Sequence, residues 1–508
     1  MLINQQFLTV ANKNLARPAF RYLGKETSYA DLRAQISRLS YLYQNELGLS
    51  PRVAFFTRNA PAVITSFFAI SNIRGITIPL DPDASPESVI AWLKESQATH
   101  VAVTSDLASK AREILSHAHL SLPLVEIEKK HGGEYDTSFT TSSDNQPTEK
   151  DSILLLRSSG ATEKPHLCSF SHKQLGHAAT CLRSSYHINV NDRYFTQMSW
   201  SHPFSWVHAL LFPILNGATI VIDHGLEGAE FLNFLIESRV NRLLGTPGQF
   251  FKILLNCSTE KKALIGIKSI TVGGGQMATN VQAVFKRMKI PVAHCYGQTE
   301  ALWTLSMQDT VPDENDEFPE MHKPLAGMKY KVLDANGDQI EGSESRTGLL
   351  AVTTPTMLNR YEGTSKDLEK ATKGVIRGTW LYTGDMAQLE GEGETLRILP
   401  LGRKVDLIEV DGEIISMPEI TAVLKSISGV DDAAAFVTLT GRGEKAIAGA
   451  VVKAATSTLT DKSILAFLQQ KLHDSRLPRA IVFTDHIPKD LAGSPNYSKL
   501  RGQFSGTI

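Results

Sequence analysis

Between Ser28 and Val103 the hydrophobic pattern switches repeatedly between two periods, and this restricts the fold more than any other feature. Ser28 to Leu47 reads as an amphipathic helix, with Leu32, Ile36, Leu39 and Tyr43 on one face and Gly48 as its stop. Arg52 to Thr57 reads as a strand, Pro61 to Ile73 as a helix and Gly75 to Leu80 as a strand. Ser85-Pro86-Glu87 opens a third helix, with serine as cap and proline in the first turn, and His100 to Val103 is the next strand. Short strands alternating with helices predict parallel α/β layers. A chain of 508 residues is long enough for more than one domain.

Composition narrows the function classes. Apolar content of 42% and charged content of 21% are those of a soluble globular protein. A formal net charge of −1 leaves no electrostatic footprint for nucleic acid or an anionic membrane. The most apolar stretch, Val207 to Ile222, is broken by Pro213, Asn216 and Gly217, so no membrane span is expected. The N-terminus lacks the charged-then-apolar order of a signal peptide. Cys168, Cys181, Cys257 and Cys295 have neither metal-site nor disulfide-framework spacing. Together these features predict a cytoplasmic protein.

Ile153 to Leu156 is a buried strand by pattern, and it runs directly into Ser158, Ser159, Gly160, Ala161 and Thr162. Small hydroxylated residues after a strand can wrap N–H groups and hydroxyls around a phosphate. They also suit an ordinary strand-to-turn exit. No GK[ST] follows the glycine, so this is not a Walker loop.

The segment Ser159-Gly160-Ala161-Thr162-Glu163-Lys164-Pro165-His166-Leu167 resembles the SGTTGxPKG phosphate loop of the adenylate-forming superfamily. That superfamily comprises acyl-CoA synthetases, peptide-synthetase adenylation domains and luciferases. Further segments resemble it in order. Tyr296-Gly297-Gln298-Thr299-Glu300 matches YGxTE, Tyr382-Thr383-Gly384-Asp385 matches YxTGD, and Gly402-Arg403-Lys404-Val405-Asp406 matches GRxxD. Ser498-Lys499-Leu500-Arg501 stands where the family has GKxxR. Each motif alone suits a turn or a solvated face; their order from Ser158 to Lys499 carries the resemblance.

The resemblance implies a site. Ser158, Ser159, Gly160, Thr162 and Lys164 would cradle ATP phosphates, Tyr296 and Gly297 would border the adenine, and His294 would bond its edge. Thr299 would hold the α-phosphate and Glu300 would bind Mg²⁺. Asp385 would accept the vicinal ribose hydroxyls, with Arg403 as a second ribose or phosphate contact. Lys499 would be catalytic, bridging the attacking carboxylate and the α-phosphate. His202, Phe204, Gly273, Gly274, Gly275 and Cys295 would border the acid. Peptide-synthetase domains place an aspartate near Phe204 to pair a substrate ammonium, so phenylalanine there favours an acyl or aryl acid over an α-amino acid.

The expected architecture is a large N-terminal α/β domain of layered sheets, residues 1–403, and a small mobile α+β lid, residues 404–508. The expected function is an ATP-dependent acid–thiol ligase. It would activate a small carboxylic acid as acyl-AMP and pass it to CoA or to a phosphopantetheinyl carrier protein. A stand-alone amino-acid-adenylating domain loading such a carrier, and a non-catalytic nucleotide- or acyl-binding relative, are the alternatives. Glu163, His166 and Leu167 depart from the phosphate-loop pattern, and Val405 and Glu409 depart from the hinge pattern.

Overall fold

The computed structural model describes residues 1–128, 147–158, 165–256, 264, 266–275, 277, 279–307, 321–404, 407–410, 413–440, 445–489 and 495–504. Ser159, Gly160, Thr162 and Lys164 lie outside the described residues, as do Val405, Asp406 and residues 129–146.

Three sheets build the first 403 residues. A nine-stranded sheet runs in the order Lys323–Pro324, Ser306–Met307, Val292–Tyr296, Ser269–Gly273, Arg242–Gly245, Arg193–Thr196, Thr219–Ile222, Pro18–Tyr22 and Lys25–Ser28. Its six central strands are parallel, and the antiparallel pairings lie at its two edges. A seven-stranded sheet contains the parallel strands Arg52–Phe56, Ile76–Leu80 and His100–Val103 that the alternating pattern predicts. It also holds Ser152–Arg157, whose antiparallel neighbour Leu167–Ser171 the pattern did not announce. The third sheet, built on Arg346–Thr353 and Trp380–Glu390, is antiparallel among its neighbours.

The predicted helices form close to their expected bounds. Tyr29–Leu47 is capped by the Ser28 hydroxyl and ends at Gly48; Pro86–Glu95 is capped by Ser85. Pro61–Asn72 is predominantly apolar and ten consecutive residues from Ala62 to Ser71 are buried, the hydroxyls of Thr65, Ser66 and Ser71 being hydrogen-bonded. A helix of that kind belongs inside a core. Phe67 meets the Trp206 ring edge-on at 5.4 Å, which ties this helix to the helical segment after His202. Burial of each such phenylalanine contributes about 1.5–3 kcal/mol.

Val207 to Ile222, the most apolar stretch, is a π-helical turn, Trp206–Leu211, then the short helix Phe212–Ile214 and the buried strand Thr219–Ile222. Among the described residues no helix is long and apolar enough to cross a membrane.

Beyond residue 406 the chain makes the ribbon Leu407–Val410 and Glu413–Ser416, and a sheet of Val430–Leu439, Lys445–Lys453 and Ala480–Phe483. Asp461–Gln469 buries Ile464 and Leu468 against that sheet, with Phe467 half-buried beside them.

Candidate active site

All three large sheets send residues to one place. The strand Val292–Tyr296 is parallel to Ser269–Gly273, and its carboxyl end runs into the 3-10 turn Thr299–Ala301. Crevices outside the carboxyl ends of parallel strands are where open α/β sheets bind ligands. Here Tyr296 from the nine-stranded sheet meets Asp385 and Arg403 from the antiparallel sheet. Glu300 meets Tyr361 from the seven-stranded sheet.

Asp385 and Arg403 are ladder partners on adjacent strands. The ladder between Arg346–Thr353 and Trp380–Glu390 shifts register between Met386 and Tyr382, and Gly384 within the shift has φ +77°. Such bulges re-aim a side chain. The Arg403 Nε lies 3.1 Å from Asp385 Oδ1, and its Nη1 donates to the Thr383 carbonyl at 2.7 Å. The Tyr296 hydroxyl donates to Asp385 Oδ2 at 2.5 Å. Burial raises the Tyr296 phenol well above its ordinary value, and the Asp385 charge raises it further, so it stays a proton donor. Both Asp385 oxygens therefore already hold a partner. Ribose hydroxyls would share or displace these bonds rather than meet a bare carboxylate. Arg403 is not a solvated loop cation: it ends the strand Arg397–Arg403 and is anchored at both contacts.

Two positions before Tyr296 on the same strand, His294 is buried and its imidazole is pushed down to about 4 by burial. Among the described residues its Nε2 has no hydrogen-bond partner. A neutral imidazole with a free buried nitrogen suits the edge of a purine, which offers both donors and acceptors.

The Thr299 hydroxyl lies 3.5 Å from the Arg157 carbonyl oxygen, at the end of Ser152–Arg157. Ser158 and His166 close the base of the predicted phosphate loop: the Ser158 N–H donates to the His166 carbonyl at 2.9 Å, and the His166 N–H donates to Ser158 Oγ at 3.0 Å. The His166 ring stacks on Tyr361 at 4.6 Å, and the Tyr361 hydroxyl donates to Glu300 Oε1 at 2.8 Å. Among the described residues Glu300 Oε2 has no hydrogen-bond partner, and one carboxylate plus substrate phosphates is a common way to hold Mg²⁺.

Around the expected acid, His202 caps the short helix Pro203–Ser205, its Nδ1 accepting the Phe204 N–H at 3.2 Å. Phe204 is fully buried beside Gly273, where a Cβ would lie 2.9 Å from the ring. Cys295 pairs with Gly273 across the ladder. Gly274 and Gly275 continue as a turn with φ +85° and +158°. Lys499 is exposed on the helix Tyr497–Phe504, and among the described residues it makes no hydrogen bond or ion pair with this cluster.

Sequence reasoning missed Tyr361, which reaches Glu300 from a strand of a different sheet and carried no local signal.

The chain matches the AMP-binding enzyme family model over residues 7–362. It is 24% identical over 94% of both chains to YdaB of Bacillus subtilis (strain 168), provisionally named an acyl–CoA ligase. It is 21% identical, over 99% of both, to the 3-hydroxybenzoate–CoA/4-hydroxybenzoate–CoA ligase of Thauera aromatica. Its fold superposes on ATP-bound MatB from Rhodopseudomonas palustris with a TM-score of 0.83, at 18% identity over 99% of both chains. The matched span takes in the phosphate-loop strand, the Tyr296–Glu300 turn and Tyr361, and on that evidence the chain belongs to the AMP-binding enzyme family.

Proposed function

We propose that this chain is an AMP-forming acid–thiol ligase. The observation that carries the reading is the Tyr296–Asp385–Arg403 cluster at the carboxyl end of a parallel strand that also bears His294, whose Nε2 has no hydrogen-bond partner among the described residues. Together these residues suit a ribose and a purine edge, and the family membership supports ATP as the nucleotide.

The carboxylate of the acid attacks the α-phosphorus of ATP, the bond to the bridging oxygen breaks, and pyrophosphate leaves. Thr299 orients the α-phosphate, and Ser158, Ser159, Gly160, Thr162 and Lys164 hold the phosphates. Glu300 would hold Mg²⁺, which would supply charge neutralisation of the phosphate oxygens. The acid lies against His202, Phe204 and the Gly273–Gly275 turn. Residues 404–508 act as a lid that turns about the segment near Val405, and Lys499 meets the transferring carboxylate in the closed state. In the second step a pantetheine thiol, losing its proton, attacks the acyl carbon and AMP departs. CoA is the acceptor that the names of the relatives support; a carrier protein is the second. The cytoplasm, where ATP and CoA are available, is the proposed location.

ATP–pyrophosphate exchange against fatty, aryl, hydroxy and amino acids, with and without Mg²⁺, tests this. Exchange with one acid class is the expected outcome, with Lys499→Ala losing exchange while still binding ATP. Protein that binds ATP but exchanges with no acid would refute the ligase reading.

A further inference from the structure

Two successive residues after the Thr299–Ala301 turn hold left-handed backbone: Leu302 at φ +52° and Trp303 at φ +57°. For bulky side chains this conformation is strained and persists only where surrounding contacts impose it. The Trp303 N–H donates to the Gln298 carbonyl at 3.0 Å. Its own carbonyl takes the His208 Nε2 at 3.0 Å and the Cys295 Sγ at 3.2 Å. Its Cα lies 2.4 Å from where a Cβ on residue 297 would stand, so only glycine there admits the turn.

His208 sits in the π-helical turn Trp206–Leu211, a geometry often found at functional sites. It is fully buried, and both ring nitrogens are used. A carbonyl only accepts, so Nε2 carries the proton and Nδ1 accepts the Tyr186 hydroxyl at 2.6 Å. The relay Tyr186–His208–Trp303 thus has one tautomer and one arrangement. Burial pushes the His208 imidazole down to about 3, so the relay stays neutral across the working range.

What the relay positions is an indole. The Trp303 ring packs at 5.6 Å from His202 and 5.5 Å from Phe204, and Phe204 packs at 4.6 Å from His208. Phe204 is in turn pressed against Gly273. Four aromatic rings therefore occupy the space between the strand ends at Gly273 and Cys295 and the helical segment after His202.

Resting on the ligase reading above, we propose that Trp303 is a specificity-determining residue that limits this site to compact carboxylic acids. His208 is the positioning residue that holds it in place. An acid entering beside His202 meets the indole and the Phe204 ring before it can extend between strand and helix. Each chain methylene that a pocket admits or refuses is worth about tenfold or more in discrimination.

The test is ATP–pyrophosphate exchange with acetate, propanoate, butanoate, hexanoate, octanoate and benzoate. Wild-type protein is expected to have its lowest KM for the short acids. Trp303→Gly keeps the left-handed backbone without strain, and it should lower the KM for octanoate by about tenfold or more with the KM for ATP unchanged. His208→Leu should raise the KM for butanoate and flatten the ranking, again at constant KM for ATP. His208→Gln, whose amide can donate to the same carbonyl, should restore both. The proposal is overturned if wild-type protein prefers octanoate, if Trp303→Gly keeps the wild-type ranking, or if His208→Gln behaves as His208→Leu. Calorimetric titration of butanoate and octanoate into wild-type and Trp303→Gly protein reads the same selectivity without turnover. If no acid supports exchange, the ligase reading fails, and this titration still decides: octanoate binding gained in the variant supports the selector, and unchanged binding overturns it.

Discussion

Removing the Tyr296 hydroxyl and removing the Asp385 carboxylate should have opposite consequences for nucleotide binding. The Tyr296 hydroxyl donates to a carboxylate oxygen at 2.5 Å, and Asp385 is only 6% exposed. A hydrogen bond to a charged group contributes about 1.5–3 kcal/mol. Tyr296→Phe leaves no cavity, so the cost of folding should be close to that bond alone, about 1–2 kcal/mol once the remaining Arg403 contact is counted. The freed Oδ2 is the oxygen a ribose hydroxyl would take, so ATP affinity should hold or rise. Asp385→Ala removes both bonds and leaves a guanidinium only 28% exposed without its carboxylate, although its contact with the Thr383 carbonyl remains. It should cost about 2–4 kcal/mol of stability, and ATP binding should weaken about tenfold to a hundredfold, the loss of one or two such hydrogen bonds. Urea unfolding followed by fluorescence reads the first quantity, and titration calorimetry with ATP reads the second. Tyr296→Phe weakening ATP as much as Asp385→Ala would refute the shared-oxygen argument. So would an unchanged unfolding midpoint in both.

Acid should destabilise the fold before carboxylates protonate. Burial pushes the imidazoles of His172, His202, His294 and His322 down to about 4. Unfolded imidazoles bind protons below about 6.5, so stability is full above that pH and is lost as pH falls toward 4; a urea midpoint independent of pH from 7 to 5 would contradict it. Glu300→Gln keeps an acceptor for the Tyr361 hydroxyl but loses the charge for a divalent cation. It should raise the Mg²⁺ needed for half-maximal exchange by about tenfold or more, without changing ATP affinity in the absence of the metal. Gly297→Ala would put a Cβ 2.4 Å from the Trp303 Cα; a loss of about 2–4 kcal/mol in urea unfolding is expected, and a change under about 0.5 kcal/mol would show the turn to be pliable.

The local pattern alone determined the helices and parallel strands of the first hundred residues. Leu32, Ile36, Leu39 and Tyr43 lie on one face whatever the partner, and Ser28 caps that helix with its own hydroxyl. These are short-range consequences of period and capping, so they need no knowledge of the rest of the chain. The order of motifs likewise pointed to one candidate site, because Tyr296, Thr299 and Glu300 lie within five consecutive residues.

Only the tertiary structure decided what those residues touch. Asp385 and Tyr296 are separated by 89 positions and Tyr361 and Glu300 by 61, and each pair meets because different sheets converge there. The left-handed backbone at Trp303 follows from Gly297, His208 and Cys295 acting together, with His208 placed by a π-helical turn that no periodicity encodes. Period and propensity act over a few residues, whereas a site is assembled by contacts whose sequence separation carries no local signal.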